Sequence, residues 1–460
     1  MVHLSTRRLN GPPKLPRWQR RLWGWRFLFR PLETIKARQQ TYGDNYRVSQ
    51  PDVRPALVYF SSPDALEAIF TAKPEQLSAG RGNQIFRSLL GEHGIVLLEG
   101  AAHQRQRQLL MPPFHGDRMR SYAQVIQEIT RQTMQQWTIG SRFAVRPAMQ
   151  TISLQVILKA VFGLDAGERY EQLQQRLSQM LDGFSSPWGA MFLFYPFLQR
   201  DWGAWSPWGR FLRLRQQVDE FLYAEIADRR RQPDPTRTDI LALLLAARDS
   251  DGQPLSDVEL RDELITLLFA GHETTASALS WALHWAIFLP EVRTKLLAEI
   301  DAFAAVADPV AIARLPYLTA VCQETLRLYP IALSAFPRVV KQPMELAGYW
   351  LEAGTVVMPS IYLAHHRTAV YPEPQRFRPE RFLERQFSPY EYLPFGGGNR
   401  RCIGSAFALF EMKLVLFELL ATLELAQVNS KPIRPIRRGL TVAPSDTLRM
   451  QVVGLRRVVS

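Results

Sequence analysis

One helix constrains this chain more than any other feature. Ser256 and Glu259 form an S-x-x-E capping box, and no proline interrupts the run that follows until Pro290. About 33 residues at ~1.5 Å each give ~50 Å, enough to cross a whole domain, so the rest of the fold must pack around this rod. Its middle is a poor helix former. Ala270-Gly-His-Glu-Thr-Thr275 sets a glycine and two adjacent threonines where a buried helix gains from neither. Either this is a helix kink packed by small residues, or the break serves chemistry. On the second reading, Gly271 clears space for a flat ligand, Thr274 offers a hydroxyl, and Glu273 offers an acid able to carry a proton inward.

A second feature favours chemistry. Phe395-Gly-Gly-Gly-Asn-Arg-Arg-Cys402-Ile-Gly404 places a cysteine in a glycine-rich, doubly basic loop before a helix-like run from Ser405 to Leu425. Positive neighbours and a helix N-terminus favour thiolate over thiol, and a thiolate can ligate a metal centre. This loop resembles the haem-binding signature of the cytochromes P450, F-x-x-G-x-x-x-C-x-G, with Phe395, Gly398, Cys402 and Gly404 in place. The resemblance makes Cys402 the axial thiolate of haem b iron, the ligation that favours O–O cleavage. It extends from about residue 30 to about residue 455, is of the bacterial type, and is drawn most narrowly to cyanobacterial members acting on fatty acids and terpenes.

Other motifs follow in the order that this family implies. Ala270 to Thr275 is similar to [AG]-G-x-[DE]-T-[TS], whose acid–alcohol pair, here Glu273 and Thr274, delivers protons to dioxygen, with Ala270 and Gly271 against the haem. Glu324-Thr-Leu-Arg327 resembles the E-x-x-R motif, joined by Arg381 of Pro379-Glu-Arg-Phe382 in a structural charge network. His103 and Arg107 match H-x-x-x-R, and with Arg338 and Arg400 are the residues implied for the haem propionates. Arg105 and Arg401 rank below them. His272 is expected to face away from the haem. The resemblance implies pocket walls at Phe269, Ala270, Ile331, Leu333 and Thr441-Val442, and a carboxylate-binding cation at Arg81 or Arg87, between which nothing chooses.

The fold expected is mainly α with small β sheets: a single large helical P450 domain over 31–460, after a basic and aromatic segment, 1–30. Helices are expected at 63–71, 103–111, 117–137, 148–162, 167–182, 207–231, 256–289, 291–304, 317–329 and 405–423. Strands are expected at 45–48, 56–60 and within 339–358. Only two cysteines occur. A disulfide would consume the Cys402 thiol, so a reducing, cytoplasmic setting is expected, and Cys322 reads as a small core residue.

The net charge of +13 is scattered rather than clustered. It suits propionates, an acidic electron donor and anionic lipid, and no nucleic-acid partner is expected. No run is long and apolar enough for a transmembrane anchor, although Gly11 to Pro16 resembles the hinge that follows one. Two readings stand for residues 7–31, with Trp18, Trp23, Trp25, Phe27 and Phe29: contact with a membrane surface, or packing on the body. Two also stand for the aromatics Phe184, Trp188, Phe192, Phe194, Tyr195, Phe197, Trp202, Trp205 and Trp208: an apolar lid, or a packed loop.

The function implied is a monooxygenase that inserts one atom of O2 into a C–H bond of a fatty acid, alkane or terpene-like substrate. The sequence carries no flavin or dinucleotide fingerprint, so electrons are expected from a separate ferredoxin or flavodoxin with its NAD(P)H-dependent reductase. Two rivals are a peroxide-driven peroxygenase or isomerase, against which the Glu273–Thr274 pair argues, and a non-catalytic haem sensor.

Overall fold

The computed structural model describes residues 9–456 apart from 14–15, 50–54, 115, 117, 164–166, 186–188, 190, 193–194, 304–307 and 430–432. The rod runs from Asp257 to Phe288. Its capping box is made as the sequence implies: Ser256 Oγ accepts from the Glu259 N–H (3.2 Å), and a Glu259 carboxylate oxygen accepts from the Ser256 N–H (2.8 Å). Pro290 opens the next helix, Pro290–Phe303. The rod packs most extensively on Val145–Phe162, and also on Ser405–Thr422, Pro316–Leu328 and Pro207–Arg231. These helices share one large apolar core whose centre includes Leu264, Leu268, Trp281, Met149 and Leu416. Burial of that core is the main favourable term in such a fold.

Small sheets sit at the periphery. The largest has five strands in the spatial order Tyr46–Arg47, Leu57–Phe60, Val356–Pro359, Arg338–Val340 and Leu77–Ser78. Leu57–Phe60 runs parallel to Val356–Pro359, and the other pairings are antiparallel. The expected strand pair at 45–60 is therefore present, with Tyr46 opposite Tyr59. Three strands tie the two ends of the helical body together: Arg142–Ala144, Arg449–Leu455 and Leu423–Gln427.

The expected helices form, with ends shifted by a few residues. The last one stops at Thr422, where Leu423 turns into the three-stranded sheet. Two helices near the N-terminus, Arg17–Phe29 and Pro31–Tyr42, were not expected. Gly24 and five large aromatics make the first a weak helix former, and its packing on the second and on the strand Pro435–Arg438 compensates. Among the described residues, no helix is long and apolar enough to cross a membrane.

Candidate functional site

Cys402 stands at the end of a tight loop leading into the helix Ser405–Thr422. Its N–H donates to the Phe395 carbonyl (3.0 Å), closing the loop on itself. Gly396 and Gly398 have φ of 71° and 64°, which explains their identity. A Cβ at Gly397 would lie 2.6 Å from the Phe70 ring, and one at Gly398 would lie 2.4 Å from the Phe70 carbonyl oxygen. The glycines thus seat the loop on the helix Pro63–Thr71. Gly404 has open space around it.

The Cys402 side chain is solvent-accessible although protein encloses it, as for a group lining an internal hollow. Burial pushes its thiol up. The Gly404 N–H and the Arg107 and Arg401 guanidiniums pull the other way, toward thiolate. Cys322 lacks that help: it is fully buried, and burial pushes its thiol up to about 12.

On the rod, Ala270 is exposed although most residues around it are buried or half-buried, so the helix borders a hollow at that turn. Thr274 Oγ1 donates to the Ala270 carbonyl (2.5 Å), leaving its lone pairs able to accept. Glu273 points elsewhere. Its carboxylate takes a hydrogen bond from Gln150 Nε2 (2.7 Å) and pairs with Arg146 (3.3 Å). Arg146 in turn pairs with Asp446 (3.2 Å), which is exposed and also meets Arg438. A charged chain therefore runs from Glu273 to the surface. Arg146 and Gln150 were not singled out from sequence. They lie more than a hundred residues from Glu273, and no local pattern marks them.

Gly271 departs from expectation. A Cβ there would lie 3.0 Å from Ile157 Cδ1, so the missing side chain accounts for close packing of two helices rather than room for a cofactor. Its carbonyl accepts from Ser153 Oγ (3.2 Å). Burial pushes the Glu411 carboxyl up to about 8. His272 is buried, and burial together with the nearby Arg146 pushes it down to about 4.

Cations collect near the cysteine loop. His103 is buried, and desolvation with the charges of Arg400, Arg107 and Arg338 pushes it down to about 3. Burial pushes Arg338 and Arg400 each down to about 10. Arg338 donates to the Phe336 carbonyl (2.7 Å), Arg400 to the Ile95 (2.9 Å) and Leu98 carbonyls, and Arg107 to the Arg401 carbonyl (2.8 Å). Arg400 Nε is buried with no partner. Nearby Glu99 is engaged by Ser78, the Arg81 N–H and Lys341. Three guanidiniums and an imidazole, satisfied mainly by backbone carbonyls, are a site short of negative charge. Two propionates would supply it, so the residues present fit haem. Arg105 pairs instead with Asp249 (2.5 Å) and Glu259 (2.9 Å), and Arg401 is exposed.

The charge network forms as the motif implies. Glu324 and Arg327 are completely buried and pair through both carboxylate oxygens (2.6 and 2.9 Å). Arg381 Nε reaches the same carboxylate (3.1 Å), as does the Arg378 N–H (2.8 Å). Arg327 also donates to the carbonyls of His365, Pro374 and Arg376, stitching its helix to the segment ahead of the cysteine loop.

The expected pocket walls come together only in part. Val442 N–H donates to the Ile331 carbonyl (3.0 Å), and Ala332 bridges Thr441, so these two segments touch. Phe269 packs against the main core, to which Ile331 belongs. Leu333 shares a small cluster with Val442, Tyr46, Tyr59 and Tyr362. Arg87 is tied to Glu92 at the surface. Of the aromatic run, Trp188, Phe194 and the Phe184 side chain lie outside the described residues. Phe192 stacks on the buried Trp208, whereas Tyr195, Phe197, Trp202 and Trp205 are exposed.

Comparison with known proteins agrees with this geometry. The family model described as Cytochrome P450 matches residues 11–450. A Mycobacterium tuberculosis protein provisionally named cytochrome P450 135B1 is 39% identical over 428 residues, covering 93% of this chain and 88% of its own. Another from the same organism, provisionally named cytochrome P450 135A1, is 36% identical and covers 100% of this chain and 98% of its own. Among solved structures, a retinoic-acid-bound cyanobacterial CYP120A1 superposes with a TM-score of 0.83 at 27% identity, covering 98% of this chain and all of that one.

Proposed function

The chain belongs to the cytochrome P450 family, whose members are haem-thiolate monooxygenases carrying haem b, and on that premise we propose an apolar fatty acid, alkane or terpene-like molecule as its substrate. The observation that carries the reading is an accessible, cation-flanked Cys402, in the loop that leads into Ser405–Thr422, together with the Glu273–Thr274 pair on the rod that packs against that helix. Bound there, haem b supplies the iron at which O2 is reduced and cleaved.

This chain's own residues then divide the remaining work. Cys402 would hold the iron. His103, Arg107, Arg338 and Arg400 would bind the propionates. Thr274 accepts and donates hydrogen bonds at the turn beside Ala270. Glu273 passes protons inward from the surface end of the Arg146–Asp446 chain. Glu324, Arg327 and Arg381 hold the segment beneath the loop in shape.

An apolar substrate is supported by the character of Phe269, Ala270 and Ile331, and by the relative CYP120A1, which holds retinoic acid, an isoprenoid acid. Electrons come, in this reading, from a separate ferredoxin or flavodoxin with its NAD(P)H-dependent reductase, and the net charge of +13 suits an acidic donor. Its location would be cytoplasmic, with peripheral contact to lipid.

Spin-state titration of the purified haem protein with fatty acids, alkanes, terpenes and steroids tests the substrate class. A saturable shift with one of the first three, followed by hydroxylated product in the presence of electron donors, is the expected result. Turnover with peroxide alone and none with electron donors would overturn the monooxygenase assignment.

A further inference from the structure

The helix Arg17–Phe29 carries a stripe of large apolar residues that stay exposed. Trp18, Leu22, Trp25 and Phe29 are 61, 57, 47 and 43% exposed. At about 100° per residue these four positions fall within an arc of roughly 60°, so they form one line along one face. Other side chains of the helix fasten it to the body. The Arg38 guanidinium lies 5.0 Å from the Trp23 ring centre, and Arg437 lies 4.7 Å from that of Phe27. The helix is thus held from within and presents large apolar groups outward.

Its charge identifies what covers the stripe. Residues 1–32 contain eight Lys and Arg and no Asp or Glu. Arg26 and Arg30 are exposed beside the stripe. A second copy docking there would bring two such basic segments together, which disfavours a homotypic contact. Anionic lipid attracts the same charges, and tryptophan, an apolar ring with one N–H donor, suits the headgroup boundary. Thirteen residues span only ~20 Å, short of the ~30 Å of a bilayer core, so the helix can lie in the surface but cannot cross it.

We propose that Arg17–Phe29 is an in-plane anchor that seats the protein on an anionic lipid bilayer, with Trp18, Leu22, Trp25 and Phe29 in the interface and the arginines on the headgroups. The inference deepens the peripheral location in the functional reading but does not depend on haem chemistry, and its failure would leave the haem spectrum and turnover untouched.

Co-flotation of the full haem-loaded chain with vesicles of phosphatidylcholine, with and without phosphatidylglycerol, tests it. Binding should require phosphatidylglycerol and weaken as salt is raised. Trp18→Ser, Leu22→Ser, Trp25→Ser and Phe29→Ser together should lower affinity about tenfold or more, with haem content and thermal midpoint unchanged. Leu22→Glu alone should lower it in the same direction. Three outcomes would overturn the proposal: no flotation with phosphatidylglycerol, undiminished binding by the stripe variants, or loss of binding only on replacing Trp202 and Trp205. A concentration-dependent dimer broken by the stripe variants, without vesicle binding, would assign the stripe to a second copy and overturn it equally.

Discussion

Replacing Arg327 with alanine removes the centre of the most buried charge network in the molecule. Arg327 makes five hydrogen bonds, two to Glu324 and three to the carbonyls of His365, Pro374 and Arg376, and its side chain has no exposure. Alanine leaves Glu324 with Arg381 and the Arg378 N–H as partners and strips three carbonyls of a donor. Removing one partner of a buried pair costs about 3–5 kcal/mol. Against a folding stability of roughly 5–15 kcal/mol, that is a large share. The loss falls on the segment from His365 to Arg381, which precedes the Cys402 loop, so haem retention should fail before secondary structure does. The assay is haem per polypeptide by pyridine haemochromogen absorbance, paired with urea unfolding followed by circular dichroism. Arg327→Ala should purify with little haem and with stability reduced by about 4 kcal/mol. Arg327→Lys should rescue little, because a lysine cannot reproduce the forked contact to both Glu324 oxygens. A fully haem-loaded Arg327→Ala protein with stability reduced by less than ~1 kcal/mol would refute the reasoning.

Other perturbations probe the oxygen side and the core. Thr274→Ala should still bind substrate but divert electrons to peroxide, measured as hydrogen peroxide released per NADPH; unchanged coupling would remove Thr274 from the mechanism. Arg146→Ala should cut the link between Glu273 and Asp446, altering the solvent isotope effect and pH profile of turnover while substrate affinity holds. If neither profile moves, Glu273 does not draw its protons along that chain. Burial pushes the carboxyl of Glu263 up to about 8, and it accepts from the Ile95 N–H (2.6 Å) and Gln106 (3.1 Å). A folded-state value above the unfolded one means the native state holds the proton more tightly, so this contribution is full at low pH and is lost as pH rises from about 4.5 to about 8. Glu263→Gln should therefore gain on the wild type across that window, by up to about 5 kcal/mol, in urea unfolding. A difference between the two that is flat with pH would count against the assignment.

Much of this was legible because the informative residues act locally. The capping box, the E-x-x-R turn and the cysteine loop each bring their partners together within a few positions, and each forms as its spacing implies. What the sequence concealed depends on distant contact. Arg146 and Gln150 meet Glu273 only because two helices cross, and the glycines at 271, 397 and 398 answer to Ile157 and Phe70, which no local pattern reveals. Leu333 and Val442, more than a hundred residues apart, meet in one cluster with Tyr46 and Tyr362, a contact that no local pattern reveals. The short strands at the C-terminus and the helix at 17–29 are likewise products of packing, since their own propensities are weak.

The ligation of haem by Cys402 is tested most directly by the absorbance of the reduced protein under carbon monoxide. Thiolate ligation places the main band near ~450 nm. Wild-type protein should show that band. Cys402→Ser protein reconstituted with haem should lose it, with the band moving to shorter wavelength. A Cys402→Ser protein that holds haem and keeps the ~450 nm band would contradict the account at its centre.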